Sequence, residues 1–271
     1  MATEPQTFSE LMTLEPHGPD VFVGDGPEYP WGPRVYGGQV VAQGLLAAGR
    51  TVDNPFRVHS LHAYFIRGGT ADEPIRYEVD RIRNGRSFCT RRVVARQSGG
   101  AILNLSASFH VDEPDQGALP SVSTLPDEVC VPDELVPDAW SPLFDRRNPR
   151  VEGYAGRYAT WLRMREDQGD DRLMQACALA YLSDDIPTGA VWALHPDTIS
   201  TGEESDWDGW MSSSLDHSIW FHQPVRADRW MLHDFTSETV GGGRGLAIGK
   251  LRTPDGLLAA TVTQEVLLRQ R

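Results

Sequence analysis

The sequence contains few cysteines and comparatively few basic residues. Three cysteines occur in 271 residues, and no two of them form a CxxC pair. A small, odd number of scattered cysteines argues against a disulfide framework or a zinc site and is typical of a reducing compartment. Lys and Arg number 25 against 38 Asp and Glu, which gives a formal net charge of -13. We therefore expect no nucleic-acid partner, because phosphate backbones are bound by basic surfaces.

Long apolar runs and cofactor motifs are also missing from the sequence. No stretch of about 18 apolar residues occurs, so we expect no membrane span. The first residues, MATEPQTFSELMTLEPHG, are acidic and lack an apolar core, and the last three are RQR. These ends predict neither a secretory signal nor a peroxisomal address, and we expect a cytoplasmic protein. Without a P-loop, a GxGxxG or an HExxH motif, we predict no cofactor and no metal.

The chain contains two halves with the same order of predicted elements. The first half begins with a helical pattern over 36–52, and its strand-like segments follow at 59–66, 75–83, 87–97 and 101–111. The second half begins with a helical pattern over 172–183, and its strand-like segments follow at 214–222, 230–240, 245–253 and 256–268. This order predicts an α+β fold in which each half wraps an antiparallel sheet around a buried helix.

A segment rich in proline and acidic residues separates the two halves. Residues 112–142 show no sustained periodicity, which is typical of a linker that runs over a surface. We therefore predict an N-terminal domain over 1–115, a linker over 116–150 and a C-terminal domain over 151–271.

Several long strings resemble the acyl-CoA thioesterase II family, whose fold is a double hotdog. In the first half these strings are YGGQVVAQ, SLHAYFIRGG, EVDRIRNGRSFCTRRVVARQ and LNLSASF. In the second half they are AYLSD, LDHSIWFHQP, RADRWML, GGGRGL and DGLLAATVTQE. The resemblance covers most of the chain, from about residue 30 to residue 268, apart from the linker.

The resemblance implies a fold, an activity and a catalytic set. The fold would be two helix-wrapped antiparallel sheets fused in one chain, and the activity hydrolysis of fatty acyl-CoA to free fatty acid and CoA. In that family an Asp, a Ser or Thr hydroxyl and a Gln amide hold the attacking water. The matching residues here are Asp184 of YLSD, Ser214 of SLDHS and Gln264 of TQE. The family also implies further association into homo-oligomers.

Gln264 stands out on its predicted strand even without the family. Alternate side chains of a strand share one face, and on this face Gln264 is the only polar residue among Leu258, Ala260, Val262, Val266 and Leu268. A buried amide without partners costs about 1–3 kcal/mol, so we expect a fixed hydrogen-bond partner. A core glutamine with a purely structural role remains the alternative.

Ser214 is predicted to act as a hydrogen-bonding hydroxyl. It shares a strand face with Asp216, whereas His217 points to the other face. A local Ser–His–Asp nucleophile is therefore poorly arranged, and no GxSxG elbow occurs. A serine that only caps or ends the strand remains the alternative.

Asp184 ends an apolar helix beside a second acid, Asp185. The negative end of the helix dipole, desolvation and the neighbouring acid are all expected to raise the pKa of Asp184 and make it a stronger base. We expect Asp185 to face solvent. It is also the rival candidate for the base, and a solvated helix end is the structural alternative.

Two further groups are candidates for substrate binding. The turn RIRNGRS places Arg83, Arg86 and Ser87 where phosphates of CoA could be bound, although a solvated hairpin would look the same. Gly37 and Gly38 begin the first long helix, and their N–H groups would suit a thioester carbonyl if they do not merely form a tight turn.

Two other functions remain open from the sequence. A hotdog protein that binds acyl-CoA without hydrolysing it would not need the three polar residues. A hotdog dehydratase would need an Asp/His pair, and no histidine stands beside Asp184 in the sequence.

Overall fold

Four α-helices and one 3-10 helix occur in the part of the chain that the structure describes. The structure is a computed structural model, and the described residues are 7–27, 29, 32–113, 122–123, 125, 129, 131–149, 156–195, 209–224 and 226–271. The helices are α1 (Phe8–Leu11), α2 (Gly37–Gly49), α3 (Arg172–Ser183) and α4 (Pro187–Ala193), and the 3-10 helix is Pro132–Glu134.

The remaining regular elements are β-strands. In chain order they are β1 (Glu15–Pro16), β2 (Val21–Gly24), β3 (Phe56–Phe65), β4 (Ile75–Asn84), β5 (Phe88–Gln97), β6 (Gly100–Val111), β7 (Pro137–Asp138), β8 (Phe144–Arg147), β9 (Arg157–Met164), β10 (Trp210–Ser214), β11 (Asp216–Phe221), β12 (Met231–Gly241), β13 (Arg244–Arg252) and β14 (Leu258–Gln270).

All of these strands belong to one antiparallel sheet. Its order is β1-β2-β4-β5-β6-β3-β11-β14-β13-β12-β9-β8-β7, and β10 also pairs with β14. The sequence predicts one sheet for each half. The structure joins them through β3 and β11, where His62 lies opposite Ser218. On either side of this junction the strand order is repeated, which supports the predicted duplication.

Helices α2 and α3 lie against each other and against strands of the sheet. Every α2 residue from Gly38 to Ala48 is buried. Most of them are apolar or small, and the two polar ones, Gln39 and Gln43, donate hydrogen bonds to backbone carbonyls. The side chain of Asp171 caps the start of α3 by accepting hydrogen bonds from two backbone N–H groups. One core cluster includes residues of both helices and of both halves of the sheet.

Glycines allow the two helices to approach closely. A Cβ at Gly38 would lie under 3.0 Å from the carbonyl oxygen of Tyr181. A Cβ at Gly49 would lie 2.5 Å from the side chain of Leu173. The start of α2 therefore meets the end of α3, and the end of α2 meets the start of α3, so the helices run antiparallel. This packing brings Asp184 to the start of α2.

The predicted linker 116–150 falls partly outside the described residues. Its described end contains β7 and β8, and β8 pairs with β9 and so extends the sheet. In the ranges that the structure describes, no helix has the length and apolar character needed to cross a membrane.

Candidate active site

Asp184 lies between the ends of two helices. It is the C-cap residue of α3, and only 7% of its surface is exposed. Its carboxylate accepts a hydrogen bond from the backbone N–H of Gly38 in the first turn of α2. A Cβ on Gly37 would lie 2.6 Å from Asp184 Oδ2, so only glycine leaves room for the carboxylate there. The positive end of α2 thus opposes the negative end of α3 at this group.

The structure brings Ser214 and Gln264 to the same carboxylate. Ser214 Oγ donates to Asp184 Oδ1 over 2.9 Å. Gln264 Nε2 donates to Ser214 Oγ over 2.7 Å. Ser214 ends β10, and Gln264 lies on β14, which is paired with β10. Three segments that are distant in the sequence therefore form one cluster, and Gln264 has the partner that its burial requires.

Burial determines the acidity of Asp184. Desolvation raises its pKa to about 6, although hydrogen bonds from Ser214, Gln264 and Gly38 act in the opposite direction. The carboxylate is therefore mostly ionised at neutral pH, yet it is a better proton acceptor than an ordinary aspartate.

Asp185 does not face solvent, so this expectation was wrong. Its side chain is 2% exposed, and Oδ2 lies 3.1 Å from Arg146 Nη1. Tyr158 also contacts Arg146, at 3.1 Å. Burial raises the pKa of Asp185 to about 6, although the Arg146 guanidinium acts to lower it. Because its charge is already paired with Arg146, Asp185 is the less suitable base.

A cavity of about 1350 Å³ opens beside Asp184. Polar groups of its wall include Asp184 and Ser214. Apolar side chains of its wall include Val40, Phe65 and Leu267. The cavity combines apolar side chains with many polar ones, among them arginine, aspartate and serine, which suits a large ligand that has both apolar and charged parts.

The predicted substrate-binding residues divide into two groups. Gly37 lines the cavity, and the Gly38 N–H is bonded to Asp184. Arg83, Arg86 and Ser87 lie around the β4–β5 hairpin and do not line this cavity. The carbonyl of Arg83 accepts a hydrogen bond from the buried Arg91, and the carbonyl of Ser87 accepts one from Val111. Their role in phosphate binding stays a prediction.

Sequence reasoning missed His217 and Ser183, both of which are fully buried. His217 Nδ1 contacts Gln264 Oε1, and His217 Nε2 lies 2.9 Å from Ser183 Oγ. The prediction that His217 points away from Ser214 along its own strand took no account of β14. There Thr263 is paired with Ser218, so that His217 and Gln264 are neighbours on adjacent strands.

Within the described ranges, no cluster of three or more acidic, His or Cys residues forms a metal site.

Comparisons with known proteins are consistent over nearly the whole chain. A model of the acyl-CoA thioesterase N-terminal domain matches residues 27–110, and a model of the acyl-CoA thioesterase C-terminal domain matches residues 113–268. Acyl-coenzyme A thioesterase 8 of Mus musculus is 34% identical over 292 residues, which cover 96% of this chain and 88% of the mouse protein.

Solved structures agree with these matches. Acyl-CoA thioesterase II TesB2 from Mycobacterium marinum has a TM-score of 0.82 and 35% identity, covering 97% of this chain and 98% of that one. A conserved protein of unknown function with a hotdog fold, from Alicyclobacillus acidocaldarius, has a TM-score of 0.79 and 19% identity, with the same coverage. At that identity the second likeness concerns the fold alone, which is a hotdog.

Proposed function

The chain belongs to the acyl-CoA thioesterase family and is an acyl-CoA thioester hydrolase, and we propose that Asp184, Ser214 and Gln264 carry the reaction. The substrate would be fatty acyl-CoA, and the products a free fatty acid and CoA. The observation that supports this most directly is the hydrogen-bonded cluster of Asp184, Ser214 and Gln264, in which Asp184 and Ser214 line one cavity and Gln264 lies behind them.

In the proposed mechanism Asp184 acts as a general base. It takes a proton from a water molecule, whose oxygen then forms a bond to the thioester carbonyl carbon. Asp184 and Ser214 Oγ line the cavity and hold that water as acceptors, while Gln264 donates to Ser214 Oγ and keeps the hydroxyl in place. The tetrahedral intermediate collapses with loss of the C–S bond, and the proton on Asp184 passes to the departing CoA sulfur. No covalent bond to the enzyme is formed.

Gly37 is proposed to stabilise the negative oxygen of the intermediate. It is the first residue of α2, so its backbone N–H has no partner within the helix. It also lines the cavity, where the positive end of the helix dipole favours a developing negative charge. The Gly38 N–H instead holds the base in place.

The repeated strand order supports a double hotdog in one chain. We propose the division into an N-terminal hotdog over 1–115, a linker over 116–150 and a C-terminal hotdog over 151–271. The order β2-β4-β5-β6-β3 in the first half corresponds to β9-β12-β13-β14-β11 in the second. Further association into homo-oligomers and a cytoplasmic location stay predictions.

The dehydratase alternative is less well supported by the geometry. A dehydratase needs a histidine that reaches the substrate, but His217 does not line the cavity, and both of its ring nitrogens are engaged with Gln264 and Ser183. A protein that only binds acyl-CoA can be distinguished from a hydrolase by experiment, because it would retain the ligand and release no fatty acid.

Turnover and its pH dependence test the proposed function. We expect release of free fatty acid from acyl-CoA substrates, with palmitoyl-CoA as the first of a chain-length series. Because the pKa of Asp184 is raised to about 6 and only the ionised form accepts a proton, kcat/KM should be constant above that pH and fall as the pH drops through it. Chromatographic measurement of the fatty acid avoids a thiol reagent that works poorly in acid.

The steepness of that fall distinguishes two assignments. In a plot of the logarithm of kcat/KM against pH, a slope of one below pH 6 means that a single group must be ionised. A slope of two would mean that Asp185 must be ionised as well. Binding of palmitoyl-CoA without any release of fatty acid across the series would refute hydrolysis and favour the binder.

Arg34 and Arg67 are proposed to bind the phosphates of CoA. Both are exposed and line the cavity that contains Asp184. Arg67 donates to the carbonyl of Gly99, and within the described chain neither arginine forms an ion pair with a carboxylate. Since the chain is acidic overall, two guanidinium groups that have no carboxylate partner among the described residues favour an anionic ligand at this place.

Charge removal at these positions should weaken binding of substrate. Arg34→Gln and Arg67→Gln together are expected to raise KM for acyl-CoA by about 10- to 100-fold, as for two lost hydrogen bonds of about 0.5–1.5 kcal/mol each at an exposed site, with little change in kcat. The matched control is Arg83→Gln with Arg86→Gln, at the hairpin outside the cavity. If the control pair raises KM and the cavity pair does not, the hairpin is the phosphate site.

A further inference from the structure

Behind the three residues of the active site, a chain of buried hydrogen bonds continues into the core. The chain consists of Ser183, His217, Gln264, Ser214 and Asp184, in that order of contact. Ser183, His217 and Gln264 have no exposed surface. Buried polar groups of this kind must satisfy one another, so the direction of each hydrogen bond depends on its neighbours.

When Asp184 is ionised, its charge determines which atom is the donor in each of these hydrogen bonds. An ionised Asp184 can only accept, so Ser214 must donate its single proton to it. Ser214 Oγ is then left to accept from Gln264 Nε2, which turns Gln264 Oε1 toward the imidazole of His217. That oxygen can only accept, so His217 must carry its proton on Nδ1.

The same reasoning determines the direction of the hydrogen bond between His217 and Ser183. Burial lowers the pKa of His217 to about 4, so the ring is neutral at the pH of the reaction and has one N–H. With the proton on Nδ1, Nε2 is an acceptor, and it receives the hydroxyl proton of Ser183 over 2.9 Å. Ser183 has a second possible acceptor, the carbonyl of Ala180 at 3.1 Å.

That second acceptor allows one other consistent arrangement. If Asp184 is protonated, it donates to Ser214, Ser214 donates to Gln264 Oε1, and Gln264 Nε2 donates to His217 Nδ1. His217 then carries its proton on Nε2 and donates to Ser183, which donates to Ala180. The position of the imidazole proton and the orientation of the Gln264 amide are thus linked to the state of the base.

We propose that His217 and Ser183 are positioning residues, which hold the Gln264 amide and the Ser214 hydroxyl as donors directed toward Asp184. They would act through Gln264 without touching substrate. This inference rests on the proposed function of Asp184, Ser214 and Gln264. It adds two residues to the proposed active site. It also explains why a neutral histidine with no exposed surface lies behind Gln264.

Other titratable groups near the base are accounted for. Asp185 is adjacent to Asp184 and is paired with Arg146. Burial raises the pKa of the Tyr36 phenol, and the nearby Asp184 charge raises it further. Asp216 lies near His217 and favours its protonated form, but desolvation outweighs it. None of these groups is altered in the variants below.

Three variants and one control test the proposal. His217→Leu removes both ring nitrogens and should lower kcat on the order of 10- to 100-fold, the size of effect seen when groups that orient metal-bound histidines are removed. His217→Asn can place an N–H near the former Nδ1 and should recover part of that loss. Ser183→Ala should lower kcat less than His217→Leu. His233→Leu is the control, since His233 is equally buried but has no hydrogen-bond partner within the described chain.

The pH profile separates positioning from a merely structural role. In His217→Leu and Ser183→Ala the acid limb of kcat/KM should move to higher pH, by roughly one unit for each hydrogen bond that the carboxylate loses. In His233→Leu the pH at which kcat/KM falls should not change. KM should change little in all four variants. An unmoved limb in folded Ser183→Ala and His217→Leu would overturn the proposal.

A direct measurement of the histidine proton does not depend on activity or on the variants. Nitrogen-15 chemical shifts of the wild-type imidazole at pH 8 should show the proton of His217 on Nδ1. A proton on Nε2 would overturn the proposal even if the enzyme turns over normally. Absence of turnover in the wild type would instead refute the proposed function, so the two failures are distinguishable.

Discussion

Asp184→Asn is expected to lower kcat by about 10²- to 10⁴-fold, the contribution of a general base, while KM stays within a few-fold. The substitution preserves the shape of the side chain, and its amide oxygen can still accept from the Ser214 hydroxyl, which donates to Asp184 over 2.9 Å. What the variant loses is the ability to take a proton from water. Steady-state release of fatty acid at pH 8, well above the pKa of Asp184, would measure this loss.

Asp185→Asn is the matched control, because it changes the neighbouring buried acid by the same single atom. We expect most of the turnover to remain in the folded protein. The free energy of unfolding should fall by less than the roughly 3 kcal/mol of a fully unpaired buried charge, because Arg146 loses Asp185 but keeps Asp138 at 3.2 Å. Loss of turnover in Asp185→Asn together with full activity in Asp184→Asn would transfer the role of base to Asp185.

Gly38→Ala is expected to have the second large effect. The new Cβ would lie under 3.0 Å from the backbone carbonyl of Tyr181, which cannot rotate away as a side-chain end can. Helices α2 and α3 would have to separate, at a cost of about 1–3 kcal/mol for an overpacked core. Because Asp184 follows Tyr181 by one turn and bonds to the Gly38 N–H, the displacement should also cost about 10²-fold in kcat.

Gly44→Ala, on the same helix, is expected to change the free energy of unfolding in the opposite direction. A Cβ there would lie 3.7 Å from Leu103 and from Leu105, which is an ordinary van der Waals distance. Replacing a glycine in the interior of a helix should therefore raise the free energy of unfolding by about 0.5–1 kcal/mol. Denaturation in guanidinium chloride, followed by circular dichroism, compares the two variants. Equal stability of both would show that the contact at Gly38 does not limit the approach of the helices.

Periodicity in the sequence predicted the elements that carry a clear pattern. The predicted helix over 172–183 coincides with α3, and the predicted strand over 75–83 falls within β4. Helix α3 is buried from Gln175 to Ser183, and in β4 buried and more exposed residues alternate from Ile75 to Asp80. Strand β9 and helix α4 were not predicted. Helix α4 has only seven residues, and β9 is buried without alternation from Ala159 to Leu162.

The residues predicted for the site lie together in the structure, whereas their surroundings were not predicted. The strings that contain Asp184, Ser214 and Gln264 could be matched along the chain, and their convergence follows from the pairing of β10 with β14. The burial of Asp185 could not be predicted, because its partner Arg146 lies on β8, in a segment that the sequence analysis assigned to the linker. The contact of His217 with Gln264 depends on strand register, which alternation within a single strand does not specify.

The proposed site draws on both halves of the chain. Gly37 and Gly38 come from the first half, whereas Asp184, Ser214 and Gln264 come from the second. Under the proposed roles neither half alone holds the complete site. Activity therefore requires contact between the two halves, whether they are joined in one chain or associate as separate fragments.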